Sequence, residues 1–141
     1  MALDWLAYAL LAMLFAGLTS VLAKFGLQHI NSDLGVAIRT ATLFGIITLH
    51  LIAVKGYKDL PLLDAKSVLF LCLSGCTTAL SWIFYYRAIK TGNVSYVATI
   101  DKGSILITIL LSVVFLREPL TPKLLIGAFL IITGLLILVW K

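Results

Sequence analysis

The sequence has few charged residues for its length: 12% of its 141 residues are Asp, Glu, Lys or Arg, whereas 62% are hydrophobic. A soluble domain of this size leaves much of its surface exposed, and so few charged side chains could not cover that surface. The scarcity of charge therefore excludes a soluble globular protein and makes lipid the expected solvent. The net charge of +5 does not indicate nucleic acid, because the basic residues cluster at the ends of apolar runs, where lipid headgroups lie.

Cysteine and histidine are also scarce, with two of each. Cys72 and Cys76 are four residues apart on one helix face, with no histidine near them in sequence, which indicates packing residues instead of a disulfide framework or a zinc site. The sequence also lacks a phosphate-binding loop, a nucleophile with a base at usable spacing, and a pair of catalytic carboxylates. We therefore expect no enzymatic activity, no cofactor and no metal site.

Long apolar runs are what the sequence does have. A bilayer core about 30 Å thick needs roughly 20 helical residues, and five runs of that length are present. They predict an all-α membrane protein with five transmembrane helices in a single domain over residues 1–141, at about 4–23, 33–54, 65–87, 94–116 and 121–140. Asn31 and Thr121 are candidate N-caps, and Pro122 suits the first position of a helix. The first run lacks the flanks of a cleaved signal, so we expect it to remain in the mature protein.

The basic residues are almost evenly divided between the two sides of the membrane that five spans would define. The amino-terminal side would carry five: Lys55, Lys58, Lys66, Arg117 and Lys123. The other side would carry six, or five without the deeper Lys102: Lys24, Arg39, Arg87, Lys90, Lys102 and Lys141. An asymmetry in these residues normally orients a membrane protein, so an even division specifies orientation weakly. Either the chain still inserts one way, or two copies insert in opposite senses and pair as an antiparallel homodimer.

Three charged residues lie inside the predicted spans, away from their ends. Arg39 is about six residues into the second helix and Asp101 about seven into the fourth, which is roughly 10 Å along each axis, and Lys102 follows Asp101 directly. Both helices would start from the same side, so Arg39 and Asp101 could meet. A charge at this depth is normally paired or faces an aqueous cavity. Two alternatives follow: an ion pair that only locks the bundle, or a polar cavity in which these groups contact a ligand or a proton.

Other polar and aromatic residues accumulate on the same half of the predicted bundle. Ser20 and Lys24 recur at helical spacing in the first helix. In the third helix, Trp82 and Tyr85 could wall a binding site or belong to an interfacial aromatic belt, and the belt better suits Tyr86. Two glycines of the fifth helix, seven residues apart, share one face and would allow close contact with another helix, such as one of a second subunit: Gly127 and Gly134.

Several segments resemble the EamA-type branch of the drug/metabolite transporter superfamily. They are "LFAGLTSVLAKFGL", "VAIRTATLF", "LSGCTTALSWIFYYRAIKTGNVSYVATIDKGS" and "FLREPLTPKLLIGAFLIITGLLIL", and they cover nearly the whole chain. Arg117 stands where relatives often have glycine. Thr99 stands where many relatives have proline, which makes a break in the fourth helix less expected here.

Members of that superfamily often contain two five-helix halves related as an inverted repeat, and this chain resembles one half. The resemblance thus implies a transporter built as an antiparallel homodimer, a ten-helix bundle that moves a small solute by alternating access in a prokaryotic inner membrane. Lys24, Arg39, Asp101 and Lys102 would approach one cavity, with a summed charge of about +2 that favours an anionic or zwitterionic substrate. Arg39 and Lys102 would contact the anion, and Asp101 would organise the site or couple protons. A non-transporting membrane subunit and a multidrug or organic cation exporter are the alternatives.

Overall fold

The computed structural model describes residues 4–140, and every regular element among them is helical. Six α-helices are formed: α1 Asp4–Gly26, α2 Ser32–Ala53, α3 Ala65–Thr91, α4 Val94–Asp101, α5 Ser104–Leu111 and α6 Pro122–Val139. A 3₁₀ helix, Gly56–Leu62, precedes α3, and a π-helical turn, Ser112–Leu116, follows α5. Lys141, which the charge division includes, lies outside the described residues.

Four segments are long and apolar enough to cross a membrane. They are α1, α2, α3 and the stretch Val94–Leu116 that contains α4 and α5. The fifth predicted span corresponds to α6, which is apolar but shorter. The protein is thus a multi-pass membrane protein, and a fifth crossing stays a prediction.

The chain forms two compact units, one up to Thr91 and one from Gly92. In the first unit, α3 packs against both α1 and α2. The tightest packing lies where α1 and α3 end and α2 begins, and it buries Leu27, Tyr86 and Ile89. A Cβ at Gly35 would overlap with the end of the Leu27 side chain and lie 3.5 Å from the Tyr86 ring, so Leu27 would have to shift to accommodate a larger residue.

Polar contacts close the same end of the first unit. Asn31 caps α2 by accepting a hydrogen bond from the backbone N–H of Asp33 at 2.9 Å, as its position predicts. The Asp33 carboxylate in turn accepts two hydrogen bonds of 3.1 Å from Arg87, and Lys90 donates to the carbonyl of Ile30. This network ties the start of α2 to the last turns of α3, which runs to Thr91 and not only to Arg87.

The connection from α2 to α3 turns sharply at Lys55, whose φ of 56° is in the left-handed region. At its far end, Asp64 accepts a hydrogen bond of 3.2 Å from the backbone N–H of Ser67 in the first turn of α3. Hydrogen bonding by Ser67 lowers the pKa of the Asp64 carboxyl. Because the folded-state pKa is lowered, this cap contributes stability above the unfolded-state pKa and loses it as the pH falls through the folded value.

In the second unit, the predicted helix 94–116 is interrupted. Lys102 and Gly103 form a tight turn in which their N–H groups bond the carbonyls of Thr99 at 3.1 Å and Ile100 at 2.9 Å. These bonds reach back three residues instead of four, which ends α4 and starts α5 anew at Ser104. The predicted span 94–116 is therefore present with the same bounds, and it contains a turn where a break was less expected.

The second unit ends in a turn and one further helix. Arg117, with a φ of 55°, turns the chain after the π-helical segment. Thr121 then caps α6 by accepting a hydrogen bond of 3.3 Å from the backbone N–H of Leu124, and Pro122 is its first residue. Both end signals agree with the prediction from sequence. Contacts between α4 and α6 hold this unit together.

Candidate functional site

The guanidinium of Arg39 lies against the aromatic face of α3. Its Cζ is 3.6 Å from the centroid of the Trp82 ring and 5.9 Å from that of the Tyr86 ring. Trp82 and Tyr86 are four residues apart, so both rings project from one side of α3 toward α2. The electron-rich ring faces attract the cation and hold it at a membrane depth where water would otherwise be needed to solvate it.

Arg39 has donors without acceptors. A guanidinium carries five N–H donors, yet within residues 4–140 no hydrogen bond or ion pair is formed by this side chain, and its Nη1 is buried. Other cations of the first unit differ: Arg87 is held by Asp33, and Lys24 and Lys90 donate to helix carbonyls. A buried polar atom without a partner is costly, and Nη1 of Arg39 is the one buried side-chain nitrogen or oxygen of the described residues that has no hydrogen-bond partner.

Two clefts meet at Arg39. The first, which we name the α1–α2 cleft, has a volume of about 420 Å³ and is lined in part by Tyr86. It is lined by Thr19, Leu22, Ala23, Gly26, Leu27, Ile30, Gly35, Ile38, Arg39 and Tyr86. The second, of about 460 Å³, is lined by Thr19, Arg39, Thr42, Leu43, Ile46 and Ile47. Because Thr19 and Arg39 line both, they mark the boundary between a cleft toward the start of α2 and a cleft farther along it.

The two aromatic residues predicted to wall a site face different partners. Trp82 does lie at the candidate site, against Arg39. Tyr85 instead shares a hydrogen bond of 2.7 Å with the hydroxyl of Ser20, which is buried and also donates to the carbonyl of Ala16 at 3.1 Å. Ser20 and Tyr85 thus join α1 to α3, a contact that the sequence interpretation did not pair.

The sequence favours a place for Tyr86 in the interfacial aromatic belt, but the structure buries this side chain inside the first unit. Its side chain is only 5% exposed and packs between Gly35 and the guanidinium. The signal for this placement was present in the sequence, since Trp82 and Tyr86 have the spacing of residues on one helix face. What the sequence could not supply was the identity of the helix that they face.

Lys24 caps the carboxyl-terminal end of α3. Its ammonium donates to the carbonyls of Ile89 at 2.7 Å and Lys90 at 3.3 Å, the kind of contact that satisfies the last carbonyls of a helix. A smaller cleft of about 240 Å³ is lined by Lys24, Leu27, Gln28 and Lys90. Lys24 lies one helical turn beyond Ser20 and lines neither of the clefts at Arg39.

Asp101 and Lys102 lie where α4 ends. The Lys102 ammonium is 3.7 Å from the Asp101 carboxylate, and the two side chains are 65% and 39% exposed, respectively. An exposed pair of this kind contributes little to stability and leaves both groups accessible to a third partner. These residues belong to the second unit and Arg39 to the first, so the predicted meeting of Arg39 with Asp101 stays a prediction.

Gly127 and Gly134 have open space around them in the described structure. A Cβ built at either position would meet no atom within 4 Å, so neither glycine is required for packing inside the second unit. Their predicted role in contact with another subunit stays a prediction. Cys72 and Cys76 are both exposed free thiols, and no cluster of metal-ligating side chains occurs among residues 4–140.

Comparison with known proteins gives a consistent result along nearly the entire sequence. The EamA-like transporter family matches residues 3–140. An "Uncharacterized transporter in cobO 3'region" from a Sinorhizobium species is 38% identical over 138 residues, which is 98% of both chains. An uncharacterized protein from Methanocaldococcus jannaschii is 33% identical over 92 residues, 65% of this chain and 67% of the relative. No solved structure matches significantly. The chain therefore belongs to the EamA-like transporter family, as its helix sequences had indicated.

Proposed function

We propose that the protein is a secondary transporter, built as an antiparallel homodimer, that moves a small polar or amphiphilic solute across a prokaryotic inner membrane by alternating access. The observation that carries the proposal is Arg39: a cation inside a membrane span, stacked on aromatic rings, with no acceptor in its unit and a cleft on each side. Family membership supports transport in general, and this geometry supports a polar site within the membrane.

The two exposed charges of the second unit supply the remaining parts of the mechanism. Asp101 and Lys102 lie at a break between helices, and discontinuous helices in transporters place polar groups and helix ends near the bilayer midplane. In the proposed dimer, Lys102 assists Arg39 in binding an anionic or zwitterionic solute. Asp101 organises the site or carries a coupling proton, a role for which an exposed carboxylate beside a lysine is suited.

A flux measurement tests this function. Purified protein is reconstituted into proteoliposomes, and saturable uptake of labelled metabolites and organic ions is measured under an imposed proton or solute gradient. We expect Asp101→Asn to abolish uptake while the detergent-solubilised dimer keeps its elution volume, because the amide cannot ionise. The matched control is Asp59→Asn in the exposed 3₁₀ helix, which should transport normally. Full uptake by Asp101→Asn would refute the role of Asp101, and no saturable uptake of any solute would favour the non-transporting subunit.

A further inference from the structure

We propose that Arg39 is the head-group site for an amphiphilic organic anion, whose acidic group binds the guanidinium while its apolar body lies in the α1–α2 cleft. This inference rests on the proposed transport function and names the substrate class. It concerns a site that lies wholly within the first unit, so it can be tested by binding as well as by flux.

Charge determines the head group. A guanidinium stays ionised in proteins, and the rings of Trp82 and Tyr86 compensate it only in part. Two carboxylates of the described first unit have other contacts, since Asp33 is bound by Arg87 and Asp64 caps the start of α3. A cationic solute would meet uncompensated positive charge here, whereas a carboxylate, sulfonate or phosphate would neutralise it.

The aromatic stack also fixes how the head group is bound. Because the ring of Trp82 lies over one face of the planar guanidinium, hydrogen bonds to a ligand are made along its N–H edge. The two-pronged edge of a guanidinium matches the two oxygens of an acidic group and forms a bidentate, charge-assisted contact. Nη1 itself is buried without a partner, so the ligand would be bound by the other N–H groups of Arg39, whose side chain lines the cleft.

The walls of the cleft determine the body of the ligand. They are formed chiefly by aliphatic side chains such as Leu22, Leu27 and Ile38. Thr19 is polar, but its hydroxyl already donates to the carbonyl of Phe15 at 2.8 Å. The volume of about 420 Å³ lies within the range of about 300–1,000 Å³ that small-molecule sites occupy. A ligand with one acidic group and an apolar chain therefore matches both the charge and the lining.

Trp82 provides the readout for the binding experiment. The protein has three tryptophans, and Trp5→Phe with Trp140→Phe leaves Trp82 as the sole emitter. The probe is 2-bromodecanoate, whose bromine lies next to its carboxylate and quenches tryptophan on contact, added to protein in nanodiscs of zwitterionic lipid. We expect saturable quenching of Trp82 that unlabelled decanoate reverses and that bromodecyltrimethylammonium, a cation of similar chain length, does not reproduce.

Two substitutions test the head-group contact. Arg39→Lys keeps the charge but loses the planar fork, and should weaken 2-bromodecanoate binding about tenfold, while Arg39→Gln should weaken it further. The matched control is Arg117→Lys, the same change in the second unit, which should bind as the unmodified protein does. Equal binding by all of these proteins, or equal quenching by the cationic probe, would overturn the proposal.

A second pair tests the cleft without touching Arg39. Gly26 and Gly17 both lie on α1 with open space for a Cβ, but only Gly26 lines the α1–α2 cleft. Gly26→Leu should fill the cleft and weaken binding of the decanoate probe while leaving that of 2-bromopropionate, which has almost no tail, unchanged. Gly17→Leu should alter neither. Equal binding of the long probe by both variants would place the chain elsewhere and contradict the proposal.

Failure of this inference and failure of the proposed function give different results. Saturable uptake that is insensitive to Arg39→Gln and selects cations would leave the transporter standing and reject the anion site. Arg39-dependent binding without any uptake would establish the site and reject transport. If no anion quenches Trp82 but Asp101→Asn shifts its emission, a protein carboxylate is the partner of Arg39, and the anion site is rejected.

Discussion

At the scale of single residues, the contacts of Arg39, Tyr85 and Tyr86 join α3 to α2 and α1. Arg39 stood out because a charge inside an apolar helix is rare, and the structure gives it an environment that a simple ion pair would not require. Tyr85 and Tyr86 are neighbours in sequence, yet one bonds to Ser20 and the other lies beneath the guanidinium. Which neighbour faces which helix depends on the rotation of α3, and helical spacing alone does not determine that rotation.

The contact between Ser20 and Tyr85 gives a prediction at this scale. Tyr85→Phe removes the hydroxyl, but Ser20 retains its bond to Ala16, so the loss should be modest. We expect the free energy of unfolding in detergent to fall by about 0.5–1 kcal/mol, the usual size of an interhelical hydrogen bond in a membrane protein. Tyr96→Phe, at an exposed position of α4, is the control and should have no effect. A double variant, Ser20→Ala with Tyr85→Phe, that loses twice as much would show that the two hydroxyls act independently.

At the scale of helices, local signals in the sequence indicate where helices begin more clearly than where a span contains a turn. Asn31, Thr121 and Pro122 act through hydrogen bonds and backbone angles within a few residues, so their effect is visible in sequence. The turn at Lys102 and Gly103 is less expected from the sequence because Thr99 stands where many relatives have a proline. A glycine inside an apolar helix is too common to mark a break by itself.

Two glycines of α2 make a matched pair for a prediction about helix packing. Gly35→Ala would overlap with Leu27 beside Tyr86, in a region that is nearly fully buried. Overpacking of this kind typically costs about 1–3 kcal/mol, so the melting temperature in detergent should fall. Gly45→Ala meets no atom within 4 Å and replaces a poor helix former, so it should be neutral or stabilising by up to about 1 kcal/mol. Equal melting temperatures for the two variants would show that α1, α2 and α3 pack less closely at Gly35 than the structure indicates.

At the scale of the whole molecule, most large apolar side chains are exposed, as lipid or further helices require. The membrane class could be predicted from composition because it depends only on how much apolar surface must be covered. The meeting of Arg39 with Asp101 and the antiparallel homodimer could not be established in the same way, since both depend on packing between separate units or separate chains. The meeting of Arg39 with Asp101 is predicted from their similar depth in the sequence, and the homodimer from the even division of positive charge and the resemblance to half of a two-repeat transporter.

The charge division itself predicts how insertion can be changed. Lys55→Gln with Lys58→Gln removes two of the five basic residues on the amino-terminal side, leaving three against six. The positive-inside rule then favours one orientation, with that side facing outward. Accessibility of a terminal tag in intact cells should change from two populations to one, whereas Lys55→Arg with Lys58→Arg should preserve both. A single population in the unmodified protein would rule out dual topology.

The backbone conformations of Lys55 and Arg117 link the stability of the protein to its orientation in the membrane. Each occupies a left-handed backbone conformation that costs an ordinary residue roughly 1–2 kcal/mol and that glycine adopts freely. In the topology predicted from the sequence, both follow an even number of spans and would lie on the same side of the membrane. A glycine at either turn would relieve the local strain but would also withdraw a cation from that side. Selection for thermal stability alone should therefore favour glycine at these turns, and the chain would then insert into the membrane in one orientation. The oppositely oriented copy that the proposed dimer requires would no longer form.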